Sequence, residues 1–412
     1  MKSKQKIPIG WTHIKLGEYL TELSERNRRS DNNDMPVLSV TNKPGFVVSE
    51  EFFDRKVFSR DLSNYKVICE GQFAYNPSRV NVGSIARLKE FEKGLLSPMY
   101  VVFEAKEALD SSYLDYWISS QRFSNLVKAG TQGSVRDSLN FSSLSEFSFN
   151  LPPEIEQKKI VSILTCVDSV IDKTQDIINL TQTVKKGLMQ ELFTRGFPGI
   201  HNRFRPSPLG VIPADWKIVR VSDIATVDYG ISESVSLNTN PQIGWPILTG
   251  ANINLEGKIS LHKLVYIEPP KEDRFVLKKG DVLLNWRSGS PCHVGKSALF
   301  DLNGQYTYAS FILRIRPLNA NSRYLHLLFN FMRERNMFTT NVSQQVNFKM
   351  NASVFRELEI PLPSIKEQGK IVDVINKVEQ RLSAEIDVLG LFKRERSALM
   401  QVLLSGEVRV KI

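Results

Sequence analysis

Three short segments of this 412-residue chain hold residue types that could do nucleotide or covalent chemistry, and each lacks something the chemistry requires. Gly295-Lys296-Ser297 supplies the end of a phosphate loop, in which backbone N–H groups and a lysine surround phosphate oxygens. The first glycine of that loop would have to stand at Ser290, and the residues after Ser297 read as a strand running to a turn at Asn303-Gly304, not as a helix N-terminus. Asn76-Pro77-Ser78 lacks the second proline and the aromatic residue of an Asn-Pro-Pro-aromatic methylation loop, and no glycine-rich cofactor loop precedes it. The histidines His13, His201, His262, His293 and His326 are scattered, and only Cys292-His293 is adjacent, so no metal site is expected. Cys69, Cys166 and Cys292 form no CxxC pair and no even disulfide framework, which predicts a reducing, cytoplasmic setting with Cys166 as a small packing residue in a helix. No catalytic residue is predicted.

What remains is hydrogen-bonding chemistry. Reading a base edge needs Arg, Lys, Asn or Gln on loops that fit a groove. In the first half of the chain Asn76, Ser78, Arg79 and Asn81 form one such loop, and Thr131, Gln132, Ser134 and Arg136 form a second. The second half offers Asn285, Arg287 and Ser288, then Gln344, Gln345, Asn347 and Lys349. Arg26, Arg28, Arg29, Arg55, Lys56 and Arg60, with Lys278 and Lys279, are candidates for phosphate contacts, against the solvated role that surface cations usually have. A formal charge of +10 suits a polyanionic partner. With 42% hydrophobic and 24% charged residues the chain is globular, which excludes a disordered polymer. No apolar run approaches the roughly 18 residues of a membrane span, and the basic N-terminus lacks the apolar core of a signal peptide.

These loops recur because the chain is two copies of one unit. Ile7-Pro8-Ile9-Gly10-Trp11 matches Ile212-Pro213-Ala214-Asp215-Trp216. Leu151-Pro152 with Glu156-Gln157-Lys158-Lys159-Ile160-Val161 matches Leu362-Pro363 with Glu367-Gln368-Gly369-Lys370-Ile371-Val372, and Tyr113-Leu114 matches Tyr324-Leu325. Between such anchors the copies share few residues, so the frame repeats while its filling differs. The repeat also removes a nuclease-like Glu104-Ala105-Lys106 as a duplicated active site, since its counterparts are Ile315 and Pro317.

The elements that must position the loops follow from periodicity. Ile160, Leu164, Val167, Ile171, Thr174, Ile178, Thr181, Leu188 and Leu192 fall on alternating steps of three and four, interrupted by Lys185. Ile371, Ile375, Val378, Leu382, Leu389, Phe392, Leu399 and Leu403 repeat the pattern, interrupted by Glu385 and Arg396. A 3.5-residue period over several heptads is a coiled-coil seam. Pro152-Pro153 opens the first helix, and Ser364 with Glu367 predicts a capping box for the second. Short apolar runs at 65–68, 72–75, 99–103, 281–284 and 311–315 read as strands, and 113–127 and 322–337 have helical spacing. The expected class is α+β: a globular domain over 1–153, a long helix over 154–196, a linker over 197–211, a second globular domain over 212–363 and a second long helix over 364–406.

This order of domains, with its duplicated Ile-Pro-x-x-Trp and Leu-Pro…Glu-Gln-x-Lys-Ile-Val entries, resembles the specificity subunit of type I restriction-modification systems over essentially the whole chain. The resemblance implies that the globular domains are target recognition domains and that the two helices pair antiparallel, with pseudo-twofold symmetry, as a spacer. It also implies double-stranded DNA, two modification (methyltransferase) subunits and restriction (translocase/nuclease) subunits as partners. The chain itself would bind no cofactor, with S-adenosylmethionine, ATP and Mg held by the partner subunits. Because the two domains differ in sequence, each would read a different half of an asymmetric, bipartite site.

Overall fold

The structure, a computed structural model, describes residues 7–28, 35–53, 58–131, 138–207, 209–232, 241–338 and 348–411. It divides into two compact units. Unit one comprises Met1–Gln175 with Asp387–Ile412, and unit two comprises Asp176–Ile386. The division falls inside both long helices, Glu154–Thr194 and Ile365–Ser405. Where the sequence suggested two globules followed by separate helices, each compact unit is a globule together with half of each helix.

In unit one, Thr12–Lys15 pairs antiparallel with Ser148–Leu151, tying the start of the globule to the strand that enters the first long helix. A four-stranded sheet follows in the order Leu20–Leu23, Val101–Ala105, Phe73–Tyr75, Ile85–Arg87. Another runs Phe46–Val48, Val37–Val40, Lys93–Leu96, Lys66–Cys69, with a parallel step between Val37–Val40 and Lys93–Leu96. Unit two repeats the plan. Lys217–Arg220 pairs with Glu359–Leu362, and a four-stranded sheet runs Ala225–Tyr229, Ile312–Pro317, Val282–Asn285, Ser297–Leu299. A three-stranded sheet, Val265–Ile267, Trp245–Leu248, Thr307–Tyr308, again contains one parallel step. The expected strands are thus present within a residue or two.

Local chemistry explains the helices that brace these sheets. Asp110 caps Ser111–Ile118, its Oδ1 accepting from the N–H groups of Ser112 (2.8 Å) and Tyr113 (2.9 Å). Asn321 caps Ser322–Glu334 in the same way through Tyr324 N–H at 3.0 Å. Satisfying N–H groups that have no partner inside a helix is what these residue types do at a helix start. The helical stretch expected over 113–127 is two helices, broken at Ser119-Ser120, where the Ser120 hydroxyl bonds to Trp117 O (2.6 Å) and accepts from Phe123 N–H (3.3 Å).

The predicted seam is buried or half-buried along both long helices. In unit one, Ile160 and Leu164 share a core with Met400, Leu403 and Leu404. Partners run from Glu156 with Arg409 to Asp168 with Arg396, so the helices are antiparallel there. In unit two, Met189, Leu192 and Phe193 share a core with Ile371, Val372 and Ile375. Lys185 meets Glu379 at 2.7 Å, and the chain just after the first helix meets Glu367, which is antiparallel again. Two of the charged interruptions in the seam are therefore paired across it. Cys166 is exposed, not a packing residue: it lies off the seam, beside Val167.

Candidate nucleic-acid interface

The anchors of the repeat hold each globule onto the helices. In unit one Glu156 is completely buried. It accepts from Trp11 Nε1 (2.9 Å) and from Arg409 Nε and Nη2 (2.7 and 2.8 Å), while Arg409 Nη1 donates to Ile9 O at 2.6 Å. In unit two Glu367 accepts from Trp216 Nε1 (3.2 Å), Phe197 N–H (3.0 Å) and His201 Nε2 (2.7 Å). The adjacent glutamines complete the joint. Gln157 accepts from Asp110 N–H (2.8 Å) and donates to Pro152 O (2.9 Å); Gln368 accepts from Asn321 N–H (2.8 Å) and donates to Pro363 O (2.9 Å). The predicted capping box is only half formed. Ser364 accepts from Glu367 N–H at 3.3 Å, but the glutamate side chain is used for the tryptophan and not for the helix start. Both helices stop at a glycine in the left-handed region, Gly196 (φ 75°) and Gly406 (φ 71°). A Cβ there would meet His201 and Glu367 in unit two, or Pro8 and Trp11 in unit one.

On this frame the first candidate loop of each unit is joined to the described chain that follows the second. In unit one Leu139 N–H donates to Pro77 O at 3.0 Å, tying the chain after Arg136 to the Asn76–Asn81 loop. In unit two Met350 N–H donates to Trp286 O at 2.9 Å, and Arg287–Ser288 pairs antiparallel with Phe348–Lys349, Arg287 opposite Lys349. Backbone bonds at equivalent places thus join two segments that lie far apart in each copy. Gln132, Ser134, Arg136, Gln344, Gln345 and Asn347 lie outside the described residues; of Thr131 and Lys349 only the backbone is described.

Side-chain placement sorts the remaining candidates. Ser78, Arg79 and Asn81 are exposed, and Arg79 forms no ion pair among the described residues. Asn76 is turned inward, its Oδ1 accepting from Ser78 N–H at 3.0 Å. Asn285 is also buried, its Nδ2 donating to His293 O at 2.9 Å. Both asparagines shape their loops from within. Arg287 and Ser288 are half-buried, and the Arg287 guanidinium lies over the Phe311 ring, 5.2 Å from its centroid. Among the other cations, Arg26 donates to Asn64 O at 3.0 Å, and Arg29, Arg55 and Lys56 fall outside the described residues. Beside the unit-two loops lies Lys296, which the sequence marks only as part of an incomplete phosphate loop. Lys296 is 6% exposed, its ammonium makes no hydrogen bond or ion pair among the described residues, and burial first, then the Arg333 charge, lowers its pKa.

The charge-bearing residues that do have partners are structural. In unit two, Arg316 makes two 2.7 Å bonds to the buried Asp281, and Arg314 pairs with Asp228. In unit one, Arg396 pairs with Asp168, to which Tyr116 also donates at 2.8 Å; burial pushes the Tyr116 hydroxyl up to about 12. Among the described residues no group of His, Cys, Asp and Glu could hold a metal ion, and no helix is long and apolar enough to cross a membrane.

Two copies of one DNA-reading frame on paired helices define the class to which the comparisons point. The model of the type I restriction modification DNA specificity domain matches residues 8–182 and 213–387, and the chain belongs to this family. It is a type I restriction-modification specificity subunit with two recognition domains. Among curated relatives, the type I restriction enzyme MjaVIII specificity subunit of Methanocaldococcus jannaschii is 23% identical over 98% of this chain and 95% of its own. The StySPI specificity subunit of Salmonella potsdam is 26% identical over 48% of this chain and 44% of its own. Among solved structures, a chain from a study of complex assembly and conformational transition of the type I R-M system matches with a TM-score of 0.60. It is 18% identical over 98% of this chain and all of its own. The HsdS subunit from Thermoanaerobacter tengcongensis matches with a TM-score of 0.51 at 19% identity, over 99% of this chain and all of its own. At such identities these likenesses establish the shared fold.

Proposed function

We propose that each unit reads one half of an asymmetric, bipartite duplex site through its pair of joined loops, Ser78, Arg79 and Asn81 serving one half and Arg287, Ser288 and Lys349 the other. The paired helices set the distance between the half-sites and dock two methyltransferase subunits, to which restriction subunits add. The chain has no chemistry of its own; S-adenosylmethionine, ATP and Mg bind to the partner subunits. The observation that supports this reading most is the pair of equivalent loop-to-loop bonds, Leu139 to Pro77 and Met350 to Trp286. They keep the same scaffold under loops whose residues differ, which is what two readers of different sequences require. Arg79 and Arg287, with no carboxylate partner among the described residues, suit a polyanion.

A competition experiment tests the reading. The chain assembled with its methyltransferase subunits should hold one duplex sequence about 10³-fold or more above others, with affinity falling steeply as salt rises. Equal affinity for all duplexes would reject two sequence readers, and methyl transfer by the purified chain alone would reject a non-catalytic subunit.

A further inference from the structure

An open cavity of about 680 Å³ in unit two is bordered by Gly250, Asn254, Arg287, Ser288, His293 and Lys296, among others. Lys296 precedes the strand Ser297–Leu299. Its position is fixed by Asn285 N–H donating to Lys296 O (2.9 Å) and Gly295 N–H donating to Asn285 O (2.8 Å). The lysine is 94% buried next to a strand at the sheet edge, and no acceptor among the described residues meets its ammonium. Glu256 also borders the cavity but lies beyond ion-pair distance of Lys296 and Arg287. Arg333 adds repulsion.

Most of the Lys296 side chain is covered, while its ammonium opens into the cavity with no carboxylate at ion-pair distance among the described residues. A ligand seated there would supply the acceptors that these residues do not. Arg287, at the same cavity, is also a donor-only group without an ion pair. The cavity therefore calls for a ligand that presents acceptors and negative charge. It is concave, and on a duplex the feature that projects into a concave surface is the phosphodiester ridge. Base edges lie recessed in the grooves and are reached by side chains that protrude. We infer that Lys296 seats one backbone phosphate of the DNA bound by unit two, fixing the register in which the neighbouring Arg287 loop meets the bases. This rests on the DNA-reading function proposed above and adds to it a positioning residue on a segment that its sequence marks only as a failed nucleotide loop.

The test uses the full chain assembled with its methyltransferase subunits, as wild type, Lys296→Met and Lys296→Arg. Each binds two duplexes, one carrying the methylated motif and one unrelated, over a range of salt. Lys296→Met should weaken both by a similar factor and reduce the slope of log affinity against log salt by about 0.9, the value for one phosphate contact. Lys296→Arg should restore the slope, and the methylated sequence should be the same in all three. The free chain carrying Lys296→Met should melt no lower than wild type, because methionine keeps the covered aliphatic stem and the ammonium has no protein partner to lose. Unchanged affinity and slope would overturn the inference. So would a change in the preferred sequence, which marks a base contact, or a lower melting temperature, which marks a structural lysine. A wild-type complex with no salt-dependent DNA binding would overturn the function on which the inference rests, and the inference with it.

Discussion

Replacing Glu367 with alanine should open unit two while leaving unit one closed. The Glu367 side chain is 6% exposed and serves three donors at once: Phe197 N–H at 3.0 Å, His201 Nε2 at 2.7 Å and Trp216 Nε1 at 3.2 Å. Its removal strands all three in a site that also packs Gly196. A buried donor left without its acceptor costs about 1–3 kcal/mol. The three share one carboxylate and relax together, so a total of about 3–5 kcal/mol, the range for breaking a buried charged pair, is expected. Set against roughly 5–15 kcal/mol for a whole domain, that is a large fraction of unit two's stability. Glu367→Gln keeps one acceptor oxygen and should cost visibly less. Denaturant unfolding of the full chain gives the magnitude, and amide hydrogen exchange gives the location. Faster exchange should be confined to unit two, and Glu156→Ala should produce the mirror result in unit one, where Trp11 and Arg409 lose their acceptor. A loss below about 1 kcal/mol, or exchange that rises equally in both units, would refute the view that these glutamates anchor their own units.

Arg79→Ala and Arg287→Ala should each weaken discrimination at one half-site, by about 1–3 kcal/mol if the guanidinium makes a bidentate base contact; methylation of duplexes substituted at single positions measures it. Burial lowers the pKa of His326 to about 3, below its ordinary 6.5. The unfolded chain then takes up a proton below pH 6.5 that the folded unit refuses down to about pH 3, so stability falls with pH across that window, by up to about 1.4 kcal/mol per unit. His326→Gln should flatten the dependence between pH 7 and pH 5 in denaturant melts, and an unaltered slope would exclude His326 as its source. One heptad inserted between Leu180 and Thr181 preserves the phase of the seam and lengthens the helix by about 10 Å. The methylated motif should then keep both half-sites and favour a spacer longer by roughly three base pairs, since the charge spacing of each strand is about 3.4 Å.

The frame was legible in the sequence because it is written in local patterns. Seam periodicity, alternating strands and the paired Trp and Glu-Gln motifs each occupy a few neighbouring residues, and their repetition gave the pairing of halves. What those motifs do was not legible: the link from Trp11 to Glu156, like that from Trp216 to Glu367, joins residues well over a hundred positions apart. The half-formed capping box at Ser364 has the same cause, since a long-range donor wins the carboxylate. In the loops, residue type identified plausible readers but not orientation. Asn76 and Asn285 have the right chemistry and face inward, and Lys296 was passed over because its local motif fails for a nucleotide while its cavity is assembled from three separated segments.

The central claim is that one chain holds two independent readers. Mapping methylated bases across the genome of cells that express this chain with its methyltransferase partner tests it most directly, before and after residues 1–153 are exchanged for the equivalent domain of a relative. The account predicts a single asymmetric bipartite motif that disappears when the chain is deleted, and of which the exchange alters one half and leaves the other unchanged. A motif altered in both halves, or one that persists without the chain, would contradict it.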